Sequence, residues 1–217
     1  LGDDVLLVIS GDALTDIDLQ EAERFHREKG AAVTLVVTQV DDPREYGLVD
    51  FDSEGRVRGF IEKPGWSQAV TDLANTGIYL LSPGVLEKIP EGREFDFAKD
   101  LFPLLLEQGE PVYAYATDRY WCDIGDLNSY VSCQRDILTG RVRTRLRTEG
   151  GMHCEEEPPR GSFELIPPVY IGRNVRIGAA AVVGPFAVLD DGCQVGNSAR
   201  IKGSVLLPSS YAGDRSS

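Results

Sequence analysis

An aliphatic residue recurs at every sixth position near the end of this chain, and a glycine follows four of these residues. The positions are Ile171, Ile177, Val183, Leu189, Val195, Ile201 and Leu207. Such a period is typical of a parallel β-helix, in which each hexapeptide forms one flat side. These units make little more than two coils, whereas repeat proteins normally need at least three repeats and a cap. We therefore predict a short β-helix that continues beyond residue 217 or is closed by a partner subunit.

Upstream of the repeat, the pattern indicates alternating strands and helices. Residues 5–9 are uniformly apolar and end in Ser10-Gly11-Asp12, which predicts a strand buried on both faces of a parallel sheet. A helix is predicted from Asp18, as N-cap, to Gly30, and a second buried strand over residues 31–40. This strand–helix–strand order favours an α/β fold.

Further elements follow in the same region. Residues 48–51 and 56–61 flank the turn 52–55 and predict a β-hairpin. Amphipathic helices are predicted over residues 97–108 and 127–138. We assign residues 1–145 to an α/β domain, residues 146–164, which are rich in glycine and proline, to a linker, and residues 165–217 to the β-helix.

Composition excludes several classes of partner. The formal net charge of -13 argues against nucleic acid, because affinity for a phosphate backbone needs clustered Lys and Arg. The longest apolar run is too short to cross a bilayer, and the first residues carry no basic signal-peptide region. The four cysteines show no paired spacing, which favours reduced thiols in a cytoplasmic protein.

Polar residues follow several of the predicted strands. Asp12 and Asp123 each end a strand beside a glycine, and paired carboxylates suit Mg²⁺. Lys63 follows Glu62 at the end of a hairpin arm, so a cation and an acid emerge together. Asn75-Thr76-Gly77 offers an amide, a hydroxyl and open backbone for sugar hydroxyls or phosphate. Each motif alone is also common in ordinary turns.

Together and in this order, the motifs resemble those of the sugar-1-phosphate nucleotidyltransferases, the NDP-sugar pyrophosphorylases. The resemblance covers nearly the whole chain and is greatest to bacterial mannose-1-phosphate guanylyltransferases, which have a phrase like residues 10–16. The matching segments are Ser10-Gly11-Asp12, Tyr46-Gly47, Phe60-Ile61-Glu62-Lys63-Pro64, Asn75-Thr76-Gly77-Ile78-Tyr79 and Trp121-Cys122-Asp123-Ile124-Gly125, followed by the hexapeptides.

The resemblance implies a Rossmann-like (GT-A-like) core, truncated at its N-terminus, followed by a left-handed parallel β-helix. It implies transfer of a nucleotidyl group from an NTP to a sugar 1-phosphate, with GTP and mannose 1-phosphate as the expected pair. Asp12 and Asp123 match the pair that holds catalytic Mg²⁺. Lys63 matches the lysine on the sugar phosphate, and Glu62 the acid on the sugar hydroxyls.

The same resemblance assigns further substrate-binding residues. Gly47, preceded by Tyr46, matches a glycine whose backbone approaches the sugar, and Asn75, Thr76 and Gly77 line the same pocket. We also expect a cytoplasmic homo-oligomer that associates through the β-helix.

One family feature has no counterpart in these residues, namely the glycine-rich N-terminal signature that cradles the nucleotide. We therefore expect the parent protein to be catalytically active and residues 1–217 alone to be inactive. An alternative is a non-catalytic relative that senses a nucleotide sugar, which a degenerate upstream loop would favour. A hexapeptide acyltransferase is disfavoured, because residues 165–217 lack the histidine base that such enzymes generally need.

Overall fold

The structure, a computed structural model, describes residues 4–62, 71–146 and 150–217. It divides into two compact units, Leu1–Asp123 and Ile124–Ser217. Our predicted α/β domain ran to residue 145, whereas the helix Leu127–Leu138 falls within the second unit. No helix in the described ranges is both long enough and apolar enough to span a membrane.

A mixed six-stranded sheet forms the centre of the first unit. Its strands lie in the order β5-β4-β6-β3-β7, and β1 pairs with the part of β6 that β4 leaves uncovered. Among the strands described for this sheet, only β3 and β7 pair in parallel. A separate antiparallel ribbon joins β2 to β8. The strands are β1 (Leu6–Ile9), β2 (Ala13–Thr15), β3 (Val33–Gln39), β4 (Gly47–Phe51), β5 (Val57–Glu62), β6 (Leu73–Leu81), β7 (Val112–Thr117) and β8 (Trp121–Asp123).

The prediction that the first strand is buried in a parallel sheet is wrong. Within the described residues β1 pairs only with β6, and the pairing is antiparallel. Leu6, Leu7 and Ile9 are 36%, 40% and 44% exposed. A continuous apolar run predicts burial on both faces, but burial depends on the elements that pack there. The predicted strand–helix–strand order is present, and β1 and β3 run in the same direction. They are not direct neighbours, because β6 lies between them and is antiparallel to both.

Two apolar layers cover the two faces of the sheet, so successive side chains of one strand are buried in different layers. Helix α1 (Leu19–Lys29) buries Ala22 against Val36 and Ile78 on one face. The opposite face holds the larger cluster, in which Val33, Leu35 and Val37 pack against the next helical segment. Successive β3 side chains point to opposite faces. As predicted, Asp18 caps α1, accepting hydrogen bonds from the Gln20 and Glu21 amides, and Gly30 ends it at φ 55°.

The other helices lie close to their predicted positions. A short helix α2 (Pro83–Leu86) follows β6. A π turn (Phe97–Leu101) then leads into α3 (Phe102–Glu107), over the residues predicted as one helix. Pro103 has no N–H to donate to the carbonyl of Lys99, so regular α-helical bonding cannot run through this segment. The predicted hairpin is confirmed, since β4 and β5 pair around the turn 52–55.

The second unit contains α4 (Leu127–Leu138) and a parallel β-solenoid of about three turns. Its short strands stack on three faces, and aliphatic and small residues from all three meet in one core. The strands are β9 (Met152–Cys154), β10 (Glu164–Leu165), β11 (Val169–Ile171), β12 (Arg176–Ile177), β13 (Val182–Val183), β14 (Ala187–Leu189), β15 (Gln194–Val195), β16 (Arg200–Ile201), β17 (Val205–Leu206) and β18 (Tyr211–Ala212).

The hexapeptide period holds through Ile201 and then shifts by one residue. Leu189 pairs with Leu206, and Leu206 packs on the core while Leu207 is 55% exposed. The seventh predicted core position is therefore wrong, because the corner between Ile201 and Leu206 is one residue shorter. The solenoid also begins earlier than expected, since β9 lies in the predicted linker and pairs with β11.

Candidate active site

The ribbon of β2 and β8 brings the two predicted magnesium carboxylates to one end. In its register Ala13 lies opposite Asp123, so the backbone of Asp12, the residue just before β2, is a neighbour of the Asp123 backbone at this end of the ribbon. Asp12 is exposed and Asp123 is half-buried. Two acidic residues at one end of the ribbon concentrate negative charge there, and carboxylate oxygens are hard donors that suit Mg²⁺.

Hydrogen bonds at the other end of the ribbon hold its register. The Thr15 hydroxyl donates to the Tyr120 carbonyl at 2.8 Å, and the Asp16 amide donates to the same oxygen at 3.2 Å. The Tyr120 amide donates in turn to Asp16 Oδ1 at 3.0 Å. A slip of one residue would break these bonds and turn each side chain to the opposite face. The carboxylate pair therefore depends on a strongly specified register.

Trp121 links the ribbon to the main sheet. Its indole Nε1–H donates to the Thr76 carbonyl of β6 at 3.0 Å. The ring also meets Tyr46 edge to face, with 5.4 Å between ring centroids. Burial raises the pKa of Tyr46, and nearby acidic groups that include Glu45 and Asp123 raise it further. The Tyr46 phenol thus stays protonated at neutral pH and is available as a hydrogen-bond donor close to Asp123.

A bulge in β6 contains Thr76 and Gly77 of the predicted Asn75-Thr76-Gly77 motif and begins directly after Asn75. Between the pairs Leu35–Tyr79 and Val37–Asn75, one residue of β3 faces three of β6. Gly77 adopts φ +73°, a left-handed conformation that favours glycine. Bulges of this kind bend a strand and redirect its side chains, often beside active sites.

The bulge also positions the end of β1. The Ser10 amide donates to the Gly77 carbonyl at 3.1 Å. A Cβ on Gly77 would lie only 2.6 Å from Ser10 Oγ, so the Ser10 side chain packs closely against Gly77. Asp12 follows Ser10 by two residues, which is at most about 7 Å of extended chain. The bulge and the carboxylate edge are therefore adjacent parts of one unit.

Two hydrogen bonds hold the Asn75 amide in a fixed orientation and leave it able to make others. Its Nδ2 donates to the Tyr79 hydroxyl at 2.9 Å, and its Oδ1 accepts from the Gly77 amide at 3.1 Å. An asparagine amide has two N–H groups and two acceptor lone pairs. One of each remains for a ligand hydroxyl. Thr76, by contrast, is 2% exposed and donates to the Val36 carbonyl at 2.8 Å, which makes it a structural support.

A cavity of about 260 Å³ lies beside Asn75 on the sheet face that carries the π turn. Gly47 and Leu48 of β4, together with Phe60 and Ile61 of β5, form part of its wall. The remaining lining residues are Ala98, Lys99 and Pro103. The volume lies below the ~300–1,000 Å³ that is typical of drug-sized ligands, as expected for a monosaccharide. Apolar walls with a few polar groups are typical of small-molecule sites.

The remaining predicted residues belong to the exit of β5. Glu62 is the last residue of this strand and pairs with Gly47, which places its backbone beside the cavity. Lys63 lies outside the described residues. The described part of the site thus brings together Asp12, Asp123, Tyr46, Gly47, Asn75 and Gly77 in one unit, with Thr76 beneath them.

Three residues of this region were not among the predicted site residues. Trp121 and Ser10 belong to the quoted motifs, and a buried-type aromatic beside a predicted ligand is a usable signal for a positioning role. Lys99 had no such signal, because a lysine within the predicted helix over residues 97–108 is ordinarily expected on the solvated face. Only the packing of the π turn against the sheet brings Lys99 to the cavity.

Comparison with known proteins agrees with both units. The nucleotidyl transferase family profile matches residues 1–140, and the bacterial transferase hexapeptide (six repeats) profile matches residues 165–206. A UTP–glucose-1-phosphate uridylyltransferase from Synechocystis sp. is 34% identical and aligns with 98% of this chain and 58% of its own length. A mannose-1-phosphate guanylyltransferase from Mycobacterium tuberculosis is 33% identical, with 95% and 53% covered.

Solved structures show the same relationship. HddC from Yersinia pseudotuberculosis superposes with a TM-score of 0.51 at 27% identity and covers 60% of this chain and 55% of its own. A second HddC structure, a complex with GMP-PN, superposes equally well. The chain spans about half the length of the curated relatives it matches. From the match over residues 1–140 and the high coverage by these relatives, the chain belongs to the nucleotidyl transferase family.

Proposed function

We propose that the whole protein transfers a nucleotidyl group from an NTP to a sugar 1-phosphate and releases pyrophosphate. The observation that carries the proposal is the β2–β8 register, which brings Asp12 and Asp123 to one edge. That edge is joined to the cavity through the Tyr46–Trp121 contact on one side and Ser10–Gly77 on the other. A metal-binding edge beside a sugar-sized cavity suits this reaction.

Asp12 and Asp123 would hold Mg²⁺, because their carboxylate oxygens are hard donors at an accessible edge. When bound, Mg²⁺ supplies neutralisation of charge on the phosphate oxygens. The transfer itself is an in-line displacement. A phosphate oxygen of the sugar 1-phosphate bonds to the α-phosphorus of the NTP while the bond to the β-phosphate oxygen breaks, and pyrophosphate leaves with that electron pair. No covalent enzyme intermediate is required.

The remaining residues bind and orient the sugar 1-phosphate. Asn75 offers one N–H and one lone pair to sugar hydroxyls, and its fixed amide limits the orientations of the sugar. Gly47 allows a close approach of ligand to backbone. By their match to the family, Glu62 accepts from sugar hydroxyls and Lys63 binds the sugar phosphate.

For the individual substrates we propose GTP and mannose 1-phosphate, giving GDP-mannose. The phrase Ser10-Gly11-Asp12-Ala13-Leu14-Thr15-Asp16 supports this pair, as do the guanylyltransferase relative and the HddC complex with GMP-PN. Other relatives are named for uridylyl and adenylyl transfer, so membership of the family does not by itself give this substrate pair. The pair therefore needs a direct test. Pyrophosphate release from each NTP with mannose and glucose 1-phosphates measures the preference, and a clear excess with UTP and glucose 1-phosphate would contradict the pair.

The metal assignment is tested by Asp123→Asn in the full-length protein. We expect turnover to fall at least about a hundredfold, because a lost ligand removes several kcal/mol of charge stabilisation. Asp118→Asn, at an exposed aspartate just before the same ribbon, is the control and should stay within about twofold of wild type. EDTA should abolish wild-type pyrophosphate release and added Mg²⁺ restore it. Near-normal turnover of Asp123→Asn with an unchanged Mg²⁺ requirement would refute the assignment.

We also propose that the protein acts in the cytoplasm, where NTPs are available, as a homo-oligomer that associates through the solenoid. Light scattering on the full-length protein measures its mass. A monomer at assay concentration would contradict the oligomer.

A further inference from the structure

Lys99 is a cation of the cavity wall that neither the predicted site residues nor the family match assigns. It follows Asp96, whose side chain accepts hydrogen bonds from the Ala98 and Lys99 amides at 2.8 Å each. Its backbone is therefore held at the start of the π turn. Although the Lys99 side chain is largely exposed, it borders the same cavity as Asn75 and Gly47.

The π turn is the local feature that directs Lys99 to the cavity. The Phe102 amide donates to the Phe97 carbonyl, five residues earlier, and Pro103 lies on the cavity wall beside Ala98 and Lys99. Phe97 and Phe102 pack on Tyr79 of β6, which anchors the segment to the sheet face that holds Asn75. Single π turns within helices occur frequently at functional sites.

The nearby carboxylates do not neutralise Lys99. Asp96 is engaged by backbone amides, and Asp100 Oδ2 accepts from the Asp96 amide at 2.7 Å. No carboxylate in residues 4–62, 71–146 and 150–217 forms an ion pair with the Lys99 ammonium, whereas Lys88 pairs with Glu110 at 2.9 Å. An ammonium at the mouth of a cavity that pairs with none of the described carboxylates can bind an anionic ligand.

The overall charge makes such a cation important. At a net charge of -13 the protein repels an anionic substrate unless the site itself is locally positive. We propose that Lys99 binds the phosphate group of the sugar 1-phosphate. This inference rests on the proposed function for the identity of the ligand. Lys99 adds to substrate affinity and to the correct placement of the attacking phosphate oxygen.

The kinetic test compares Lys99→Gln, Lys99→Arg and the control Lys88→Gln in the full-length protein. Lys99→Gln should raise the KM for sugar 1-phosphate about tenfold, the effect of one charged hydrogen bond, and leave the KM for NTP nearly unchanged. Lys99→Arg should recover most of the affinity, and Lys88→Gln should behave as wild type. An unchanged KM for sugar 1-phosphate would overturn the proposal, as would an equal rise in both KM values.

A binding measurement separates this inference from the proposed function. Calorimetry without NTP gives the affinity of wild type and Lys99→Gln for mannose 1-phosphate, and displacement by free mannose gives the contribution of the sugar. A roughly tenfold loss for mannose 1-phosphate alone supports the proposal even if the protein proves unable to release pyrophosphate. An unchanged affinity refutes it even if turnover is normal. Equal losses for mannose 1-phosphate and mannose would show that Lys99 contacts the sugar hydroxyls, and would also overturn it.

Discussion

Gly77→Ala tests whether the β6 bulge holds the carboxylate edge in place. Alanine at φ +73° costs about 1–2 kcal/mol, because its Cβ crowds the carbonyl oxygen in the left-handed region. The new Cβ would also lie 2.6 Å from Ser10 Oγ and 3.1 Å from Ser10 Cβ, so Ser10 must move. That movement weakens the Ser10–Gly77 backbone hydrogen bond, which contributes about 0.5–1.5 kcal/mol.

The total expected destabilisation is about 2–3 kcal/mol, which should appear as a lower Tm. Activity should fall by more than the loss of folded protein explains, because Asp12 follows Ser10 in the chain. Thermal unfolding and pyrophosphate release on the full-length protein measure the two effects. Gly59→Ala is the matched control, since a Cβ there meets nothing within 4 Å and Gly59 also lies in a strand.

The double variant Gly77→Ala/Ser10→Gly separates the steric part from the backbone part. Removing the Ser10 side chain relieves the collision but not the unfavourable φ. We therefore expect the double variant to be about 1 kcal/mol more stable than the sum of the single effects. Strict additivity would refute the contact between Gly77 and Ser10. A Gly77→Ala protein as stable as wild type would refute the left-handed conformation as well.

Two further predictions concern stability. Burial lowers the pKa of His26 below its ordinary value of 6.5, and the positive charge of Arg27 lowers it further. The unfolded chain therefore binds a proton more readily than the folded chain, so His26 contributes stability above pH 6.5 that is lost as the pH falls toward its folded pKa. Tm should drop as the pH falls below 6.5, and His26→Gln should flatten that slope. In the solenoid, a Cβ on Gly178 would lie 2.6 Å from the Asn197 amide nitrogen, so Gly178→Ala should cost about 1–3 kcal/mol, whereas Gly213→Ala, which meets nothing within 4 Å, should cost little. Equal unfolding curves for the two glycine variants would contradict the close stacking of the coils.

The buried histidine shows why some polar residues had no recognisable sequence signal. His26 Nδ1 lies 2.9 Å from Thr34 Oγ1 and Nε2 lies 3.2 Å from Ser82 Oγ. The Ser82 hydroxyl donates to the Ala31 carbonyl, so it accepts from Nε2–H and the Thr34 hydroxyl donates to Nδ1. Two partners from separate segments, Thr34 of β3 and Ser82 just before α2, satisfy this ring, and no local pattern connects them. Burial and hydrogen bonding here follow from tertiary packing.

Features with a short sequence range were predicted well. The hairpin of β4 and β5 follows from a four-residue turn, and α1 begins and ends at the expected residues. The hexapeptide period predicted the solenoid because the same local spacing repeats along the chain. Its failure at Leu207 has a local cause too, a corner shorter by one residue, which a strict period cannot represent.

The sequence by itself determined the two kinds of architecture and the family, because periodicity, caps and short motifs are local properties of the chain. Only the tertiary structure decided which of these residues meet. The β2–β8 register brings the backbones of Asp12 and Asp123 to one end of the ribbon, the bulge at Gly77 bonds Ser10 and so joins that end to β6, and the π turn brings Lys99 to the cavity. Each of these contacts joins segments far apart in the chain. Such contacts depend on strand register and packing, which no local pattern specifies.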